Sequence, residues 1–244
     1  MAHYQQRMMV EIASRLLGPP WKGKRVLELG SYSVNGTIRD CFPETSYTGV
    51  DLIPGPGVDQ VYEGKHLDFP DNSFDWAVSC ECFEHNPNWE TSLAEMFRVV
   101  VPGGILLVTC GGTGRIEHGT ARTNQASPGS QLRWEYYRNL TKADFQRVKS
   151  TKDAADCLYF FNRKSKDLYY LAVKKGGTDR SQTLRRISAE LMATNSINVD
   201  LSVPLGNRIV RTLLSFGTFA VSQLLPDRLY QAIAVRLLTW WHRR

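Results

Sequence analysis

The run Val26-Leu27-Glu28-Leu29-Gly30-Ser31, followed by Tyr47-Thr48-Gly49-Val50-Asp51, restricts this chain more than any other feature. It reads as a buried strand, a tight turn, a helix, and a second strand ending in a carboxylate. Gly30 permits a close backbone approach, and the start of the next helix offers unpaired N–H groups. Asp51, at the carboxyl end of the second strand, is placed to accept hydrogen bonds from both hydroxyls of a ribose. The geometry suits a nucleoside ligand at the edge of a doubly wound α/β sheet.

The rest of the pattern extends that sheet. Met8, Met9, Ile12, Ala13, Leu16 and Leu17 recur at helical spacing over 4–17, and Gly18-Pro19-Pro20 ends the helix. Strands are expected at 25–30, 46–51, 58–62, 74–79 and 105–109, with a helix opening at Asn35-Gly36 and stopping before Pro43. A second helix is expected over 88–100. Ile105-Leu106-Leu107-Val108 is continuously apolar, as in the middle of a parallel sheet. The polar, glycine-containing stretch 111–139 is long for a connection in a compact domain, which marks it as functional. Thr141-Lys142-Ala143-Asp144 has the pattern of a capping box, and two β-rich runs, 156–162 and 167–174, form a terminal hairpin around Arg163-Lys164-Ser165-Lys166. The expectation is a mostly parallel seven-stranded sheet over 1–176 and a helical C-terminal extension over 177–244.

Composition narrows the setting. The net charge of +6 is concentrated in the tail, where residues 178–244 hold nine Arg and no Lys against four acidic residues. The remainder is nearly balanced, so a general nucleic-acid surface is not indicated. No window reads as a transmembrane span, and Met1-Ala2-His3-Tyr4-Gln5-Gln6 does not resemble a signal peptide. The five cysteines are an odd number falling largely in apolar segments, which reads as reduced thiols in a cytoplasmic protein. No second Cys/His pair follows Cys80 and Cys82 at a zinc spacing, so no metal is expected.

Four stretches together resemble a class I S-adenosylmethionine-dependent methyltransferase of the type 11 small-molecule group, over about residues 20–175. They are Val26 to Gly36, Gly49-Val50-Asp51, Leu67 to Asp75, and Phe83-Glu84-His85 with Arg98-Val99-Val100-Val101-Pro102-Gly103-Gly104. Gly30-Ser31 with Val34-Asn35-Gly36, and His118-Gly119-Thr120 followed by Tyr136 to Thr141, resemble a bacterial subgroup. The chain departs from the family at Tyr32 and Val34, where later glycines of the turn usually fall. It departs again at Glu63, where an aspartate usually sits near adenine.

The resemblance implies a Rossmann-like methyltransferase fold, S-adenosyl-L-methionine as cofactor, and in-line transfer of its methyl group to a small-molecule or glycan-linked acceptor. Asp51 would hold the ribose, with Leu52 beside it. Glu28, Gly30 and Ser31 would line the methionine end. Glu63, Gly64, His66 and Leu67 would surround adenine, and Cys80 would floor the pocket. An imidazole titrates near neutral pH, so His85 is the first choice of base and His118 its rival. Arg115, Arg122, Tyr137 and Arg138 would bind an acidic or sugar-like acceptor. Two other readings stay open: a nicotinamide-dependent oxidoreductase on a similar sheet, and a cofactor-binding module without catalysis. The tail alternates apolar positions with Arg208, Arg211, Arg228 and Arg236 and ends near Trp240-Trp241. Such a segment suits an anionic membrane, placing the protein peripherally on its inner face, or a homodimer interface, or a cover for the sheet.

Overall fold

The computed structural model describes residues 4–34, 36–62, 66–123, 131–132, 135–197 and 219–242. Seven strands form one sheet: β1 (Arg25–Leu29), β2 (Ser46–Asp51), β3 (Gln60–Val61), β4 (Phe74–Cys80), β5 (Val100–Gly111), β6 (Ala154–Asn162) and β7 (Asp167–Lys174). Their spatial order is β3-β2-β1-β4-β5-β7-β6. All neighbours are parallel except β7, which runs antiparallel to both β5 and β6. The order reverses between β1 and β4, and ligands of open α/β sheets bind at the carboxyl edge of such a reversal.

Alternation along the strands divides the core between two faces. Leu27, Leu29, Leu106 and Val108 pack with Leu93, Met96 and Phe97 of α2 (Trp89–Val99) and Phe145 of α3 (Lys142–Arg147). Val26, Trp76, Ile105 and Leu107 face the other way. They meet Met9, Ile12 and Ala13 of α1 (Tyr4–Leu17) and Leu184, Ile187 and Leu191 of α4 (Ser181–Ile197). Both faces of β5 are therefore covered, which is why its sequence is apolar without alternation. The first helix of the expected extension, α4, lies within this core. The final helix, α5 (Asp227–His242), follows a helical stretch at 219–224. Thr141 closes the expected capping box with Asp144 at the start of α3.

Two expectations need correction. No α-helix follows Gly36. A single 3-10 turn, Arg39–Cys41, stands there, and Asn35 is outside the described residues. The carbonyls there are held by side chains from outside a helix: Ser33 Oγ donates to Gly36 O, and Arg7 Nη1 of α1 donates to Thr37 O at 2.8 Å. A helix this short has little propagation to offset its nucleation. The fifth strand also begins earlier than expected, running through Pro102-Gly103-Gly104. Its pairing skips from Phe74↔Val100 to Trp76↔Ile105, so the extra residues bulge out of the ladder. Gly103 sits at φ 75 there, where a Cβ would come within 2.7 Å of the Gly177 backbone. Lys174 Nζ donates to Val100 O at 2.6 Å and closes the bulge.

Candidate active site

The carboxyl ends of β1, β2, β4 and β5 bring Gly30, Asp51, Glu81 and Gly111 to one edge of the sheet. Asp51 is fixed at the end of β2. Its Oδ2 accepts from Tyr32 N–H at 2.9 Å and its Oδ1 from Leu52 N–H at 2.7 Å. Burial raises its pKa, and these two backbone donors oppose that rise. Each oxygen still has a lone pair for a hydroxyl donor.

The turn after β1 is built around Gly30 at φ 78. A Cβ there would strike Cys82 Cβ at 2.6 Å, so within the chain the close approach at Gly30 is to Cys82. Ser31 is buried, and its Oγ has no partner among the described residues. Such a group calls for an outside donor or acceptor. Tyr32, where the family pattern has glycine, lays its ring over Gly55 in the loop after β2. Glu28 is buried one turn of the pleat below, accepting from Tyr47 Oη at 2.7 Å. Burial pushes its pKa up to about 7 against the Tyr47 hydrogen bond.

The expected adenine side is partly placed. Glu63 and Gly64 lie outside the described residues. His66 is mostly exposed, 3.1 Å from Glu95 Oε2. Leu67 buries its side chain in the core, while its N–H donates to Glu95 and its carbonyl accepts from Arg98. Cys80 is buried on the α1 face of the sheet, with its thiol pKa pushed up to about 12 by burial.

The second half of the edge is a cluster of ionisable groups. His118 Nε2 lies 2.7 Å from Glu81 Oε2, and His118 Nδ1 lies 3.1 Å from Ile116 O. A carbonyl only accepts, so Nδ1 carries a proton and Nε2 shares one with Glu81. Glu81 also accepts from Gln6 Nε2 of α1 and lies 3.5 Å from Arg115 Nη2. Burial would raise the pKa of Glu81, but the His118 hydrogen bond and the charges of His118 and Arg115 outweigh it and hold the carboxylate low. Glu84 is fully buried and accepts from Gly111 N–H at 2.9 Å through Oε1. Its Oε2 has no partner among the described residues. Burial, then the charge of Glu81, raises its pKa. The rings of His85, His118 and Tyr137 meet edge to face, with centroids 5.2 to 5.3 Å apart. Burial and the neighbouring His118 lower the His85 pKa to about 3, so its imidazole stays neutral at ordinary pH and is a weak proton acceptor.

Of the four expected acceptor ligands, the three arginines are already engaged. Arg115 donates to Ser165 O and lies 3.7 Å from Asp167, Arg122 grips Glu117 through two nitrogens, and Arg138 pairs with Asp144. Tyr137 joins the imidazole cluster. Sequence reasoning missed Glu81, Glu84 and Gln6. The two glutamates had a signal in the spacing Glu81-x-x-Glu84-His85 immediately after a buried strand, whereas Gln6 on α1 had none. Sequence reasoning also missed a clasp from the tail: Tyr230 Oη donates to Gly114 O, Gln231 Nε2 to Arg115 O, and Asn139 Nδ2 to Asp227 Oδ1.

The chain is similar to several known proteins. Residues 42–108 match the family model for a methyltransferase domain. A phthiotriol/phenolphthiotriol dimycocerosates methyltransferase of Mycobacterium ulcerans is 37% identical over 102 residues, 36% of this chain and 37% of that protein. A fatty-acid O-methyltransferase of Mycolicibacterium smegmatis is 32% identical over 102 residues, with the same coverage. The chain thus spans well under half the length of these curated relatives. Among solved structures, the 1,6-didemethyltoxoflavin-N1-methyltransferase of Burkholderia thailandensis, with its substrate and S-adenosylhomocysteine bound, aligns at a TM-score of 0.48 and 21% identity, covering 71% of this chain and 79% of that one. The matched segment is thus similar to a methyltransferase domain of the type 11 group, and it lies on a seven-stranded sheet of order β3-β2-β1-β4-β5-β7-β6, a Rossmann-like fold.

Proposed function

We infer that the chain transfers a methyl group from S-adenosylmethionine to an oxygen of a small-molecule, glycan-linked or lipid acceptor. The observation that carries this is one sheet edge holding both a backbone-fixed Asp51 and a Glu81–His118 pair. The cofactor brings a methyl group on a positively charged sulfur, already a strong electrophile. The residues present fit it. Asp51 offers two oriented oxygens for ribose hydroxyls, Ser31 offers a buried unpaired hydroxyl, and the turn at Gly30 leads into both. The chain's task is then to orient the acceptor and take up its proton. The Glu81–His118 pair is suited to that uptake once the proton between them has left, because Ile116 O fixes the imidazole with Nε2 toward the site and the Glu81 charge favours the protonated ring. His85, neutral and weakly basic, serves instead to wall the site beside Tyr137.

A lipid-like acceptor is supported by the two mycobacterial relatives, whose names specify phthiotriol dimycocerosates and a fatty acid as substrates. It is also supported by the exposed apolar residues Val221, Leu224, Leu229 and Ile233, which lie among exposed Arg228 and Arg236. This face suits an anionic membrane surface or a second copy of the chain. Among the described residues no helix is long and apolar enough to cross a membrane. Calorimetric titration with S-adenosylhomocysteine, followed by transfer assays on fatty acid, glycolipid and free sugar, tests the reading. Absence of cofactor binding would overturn it, and transfer only to an amine would overturn the oxygen assignment.

A further inference from the structure

We propose that Glu84, His85 and His118 form a binding site for a divalent transition-metal cation, with Glu81 at its border. One ligating atom from each of the three lies within 4.8 Å of the others. Ligands bound at about 2.0–2.2 Å from one ion stand somewhat closer than that, so a small inward shift completes the set. Three features point to an ion rather than to ordinary packing. Glu84 Oε2 is buried with no partner among the described residues, an expensive state for a carboxyl oxygen. The His85 ring makes edge contacts to His118 and Tyr137, and neither of its nitrogens has a hydrogen bond among the described residues. His118 spends its Nδ1 proton on Ile116 O, and its Nε2 faces two carboxylates, Glu81 Oε2 at 2.7 Å and Glu84 Oε1 at 3.9 Å, so an ion that displaces the proton shared with Glu81 finds a lone pair aimed at it. A cation among these atoms satisfies all three at once.

The surroundings resemble the outer support that metal ligands require. Ile116 O fixes the His118 tautomer, Gly111 N–H orients the Glu84 carboxyl through Oε1, and Gln6 and Arg115 hold Glu81. Two imidazoles and a carboxylate favour Mn²⁺, Fe²⁺, Co²⁺ or Zn²⁺ over Ca²⁺. Three protein ligands leave coordination positions open. On the methyl-transfer reading, an acceptor hydroxyl bound there loses its proton more readily. With His118 serving as a ligand, Glu81 is the member of the pair that takes this proton.

The test uses the full chain, stripped with EDTA and dialysed, then titrated with Mn²⁺ followed by electron paramagnetic resonance and with Zn²⁺ followed by calorimetry. S-adenosylhomocysteine is titrated into the same samples. One tight site per chain is expected, with affinity falling at least about 100-fold in Glu84→Gln and in His85→Ala. Imidazole nitrogen coupling to Mn²⁺ should be seen in wild type and reduced in His85→Ala. A wild-type chain that binds S-adenosylhomocysteine but neither cation overturns the metal site and leaves the methyl-transfer reading standing. A chain that binds cation but no cofactor does the reverse. The wild-type titration decides the matter even if a variant fails to fold, and cation affinity unchanged in both folded variants also overturns the site.

Discussion

His118 and Glu81 meet at 2.7 Å although 37 positions separate them, one in the loop after β5 and the other at the tip of β4. Glu81 adopts a left-handed φ of 51 there, which is costly for a side chain of its size and persists only where the surroundings impose it. Gln6 reaches across from α1 to the same carboxylate. Three separate parts of the chain thus converge on one group.

That convergence makes Glu81 the most sensitive position of the site. Glu81→Gln keeps the size and one acceptor but removes the charge that His118 and Arg115 address. Turnover is expected to fall by about 100-fold or more, with S-adenosylhomocysteine affinity unchanged. Rate measurements at saturating cofactor beside calorimetry check this. Equal turnover in the variant would remove Glu81 from the proton path.

Asp51 governs the other half. Asp51→Ala deletes the acceptor that Tyr32 and Leu52 hold in place. Cofactor binding is expected to weaken by about 1.5–3 kcal/mol. Cofactor affinity equal to wild type would show that the ribose is held elsewhere.

Glu28 predicts a pH dependence of stability. Its pKa in the folded chain is about 7, against 4.5 for an unperturbed glutamate, because burial disfavours the charged form. Below about pH 4.5 both states hold the proton and nothing is lost. Between 4.5 and 7 the unfolded chain releases the proton while the folded chain keeps it, so stability falls as pH rises. Above 7 the full cost, about 3 kcal/mol, is present. Glu28→Gln retains the acceptor for Tyr47 and lacks the titration. The difference in melting temperature between variant and wild type should grow in the variant's favour from pH 5 to pH 8. A constant difference across that range would mean that Glu28 ionises normally.

What could be read from the sequence was local or periodic. The strands follow from apolar runs, and the Thr141–Asp144 cap from a four-residue pattern, because each depends on neighbours in the chain. The turn at Gly30 and the carboxylate at Asp51 were legible for the same reason. The absent helix after Gly36 was not, since the segment is held by a contact from Arg7 of α1, thirty residues earlier. The Glu84–His85–His118 cluster was equally hidden, because no spacing within one segment announces a partner from another loop. The arginines chosen for the acceptor were plausible by charge alone. Their engagement by Glu117, Asp144, Asp167 and Ser165 depends on tertiary placement.

The tail's clasp leads to the last prediction. Asp227 and Gln231, one turn apart on α5, accept from Asn139 and from Glu117 N–H, while Gln231 also donates to Arg115 O. Tyr230 adds a bond to Gly114 O at 2.9 Å. The bonds to Gly114, Arg115 and Glu117 fall on the backbone of the segment that carries His118, so α5 restrains that segment. Two substitutions together, Tyr230→Phe and Gln231→Ala, remove most of the clasp while keeping α5's apolar contacts. Hydrogen exchange at 112–120 is expected to quicken by about 10-fold or more, equivalent to the loss of roughly 1.4 kcal/mol of local protection. Exchange in β1 and β2, and the affinity for S-adenosylhomocysteine, should stay as they are. Turnover should fall, because a loosened loop holds His118 and the acceptor less well. Unchanged exchange at 112–120 would show that the loop is held by its own contacts to Ser165 and Glu81, with α5 only resting on it.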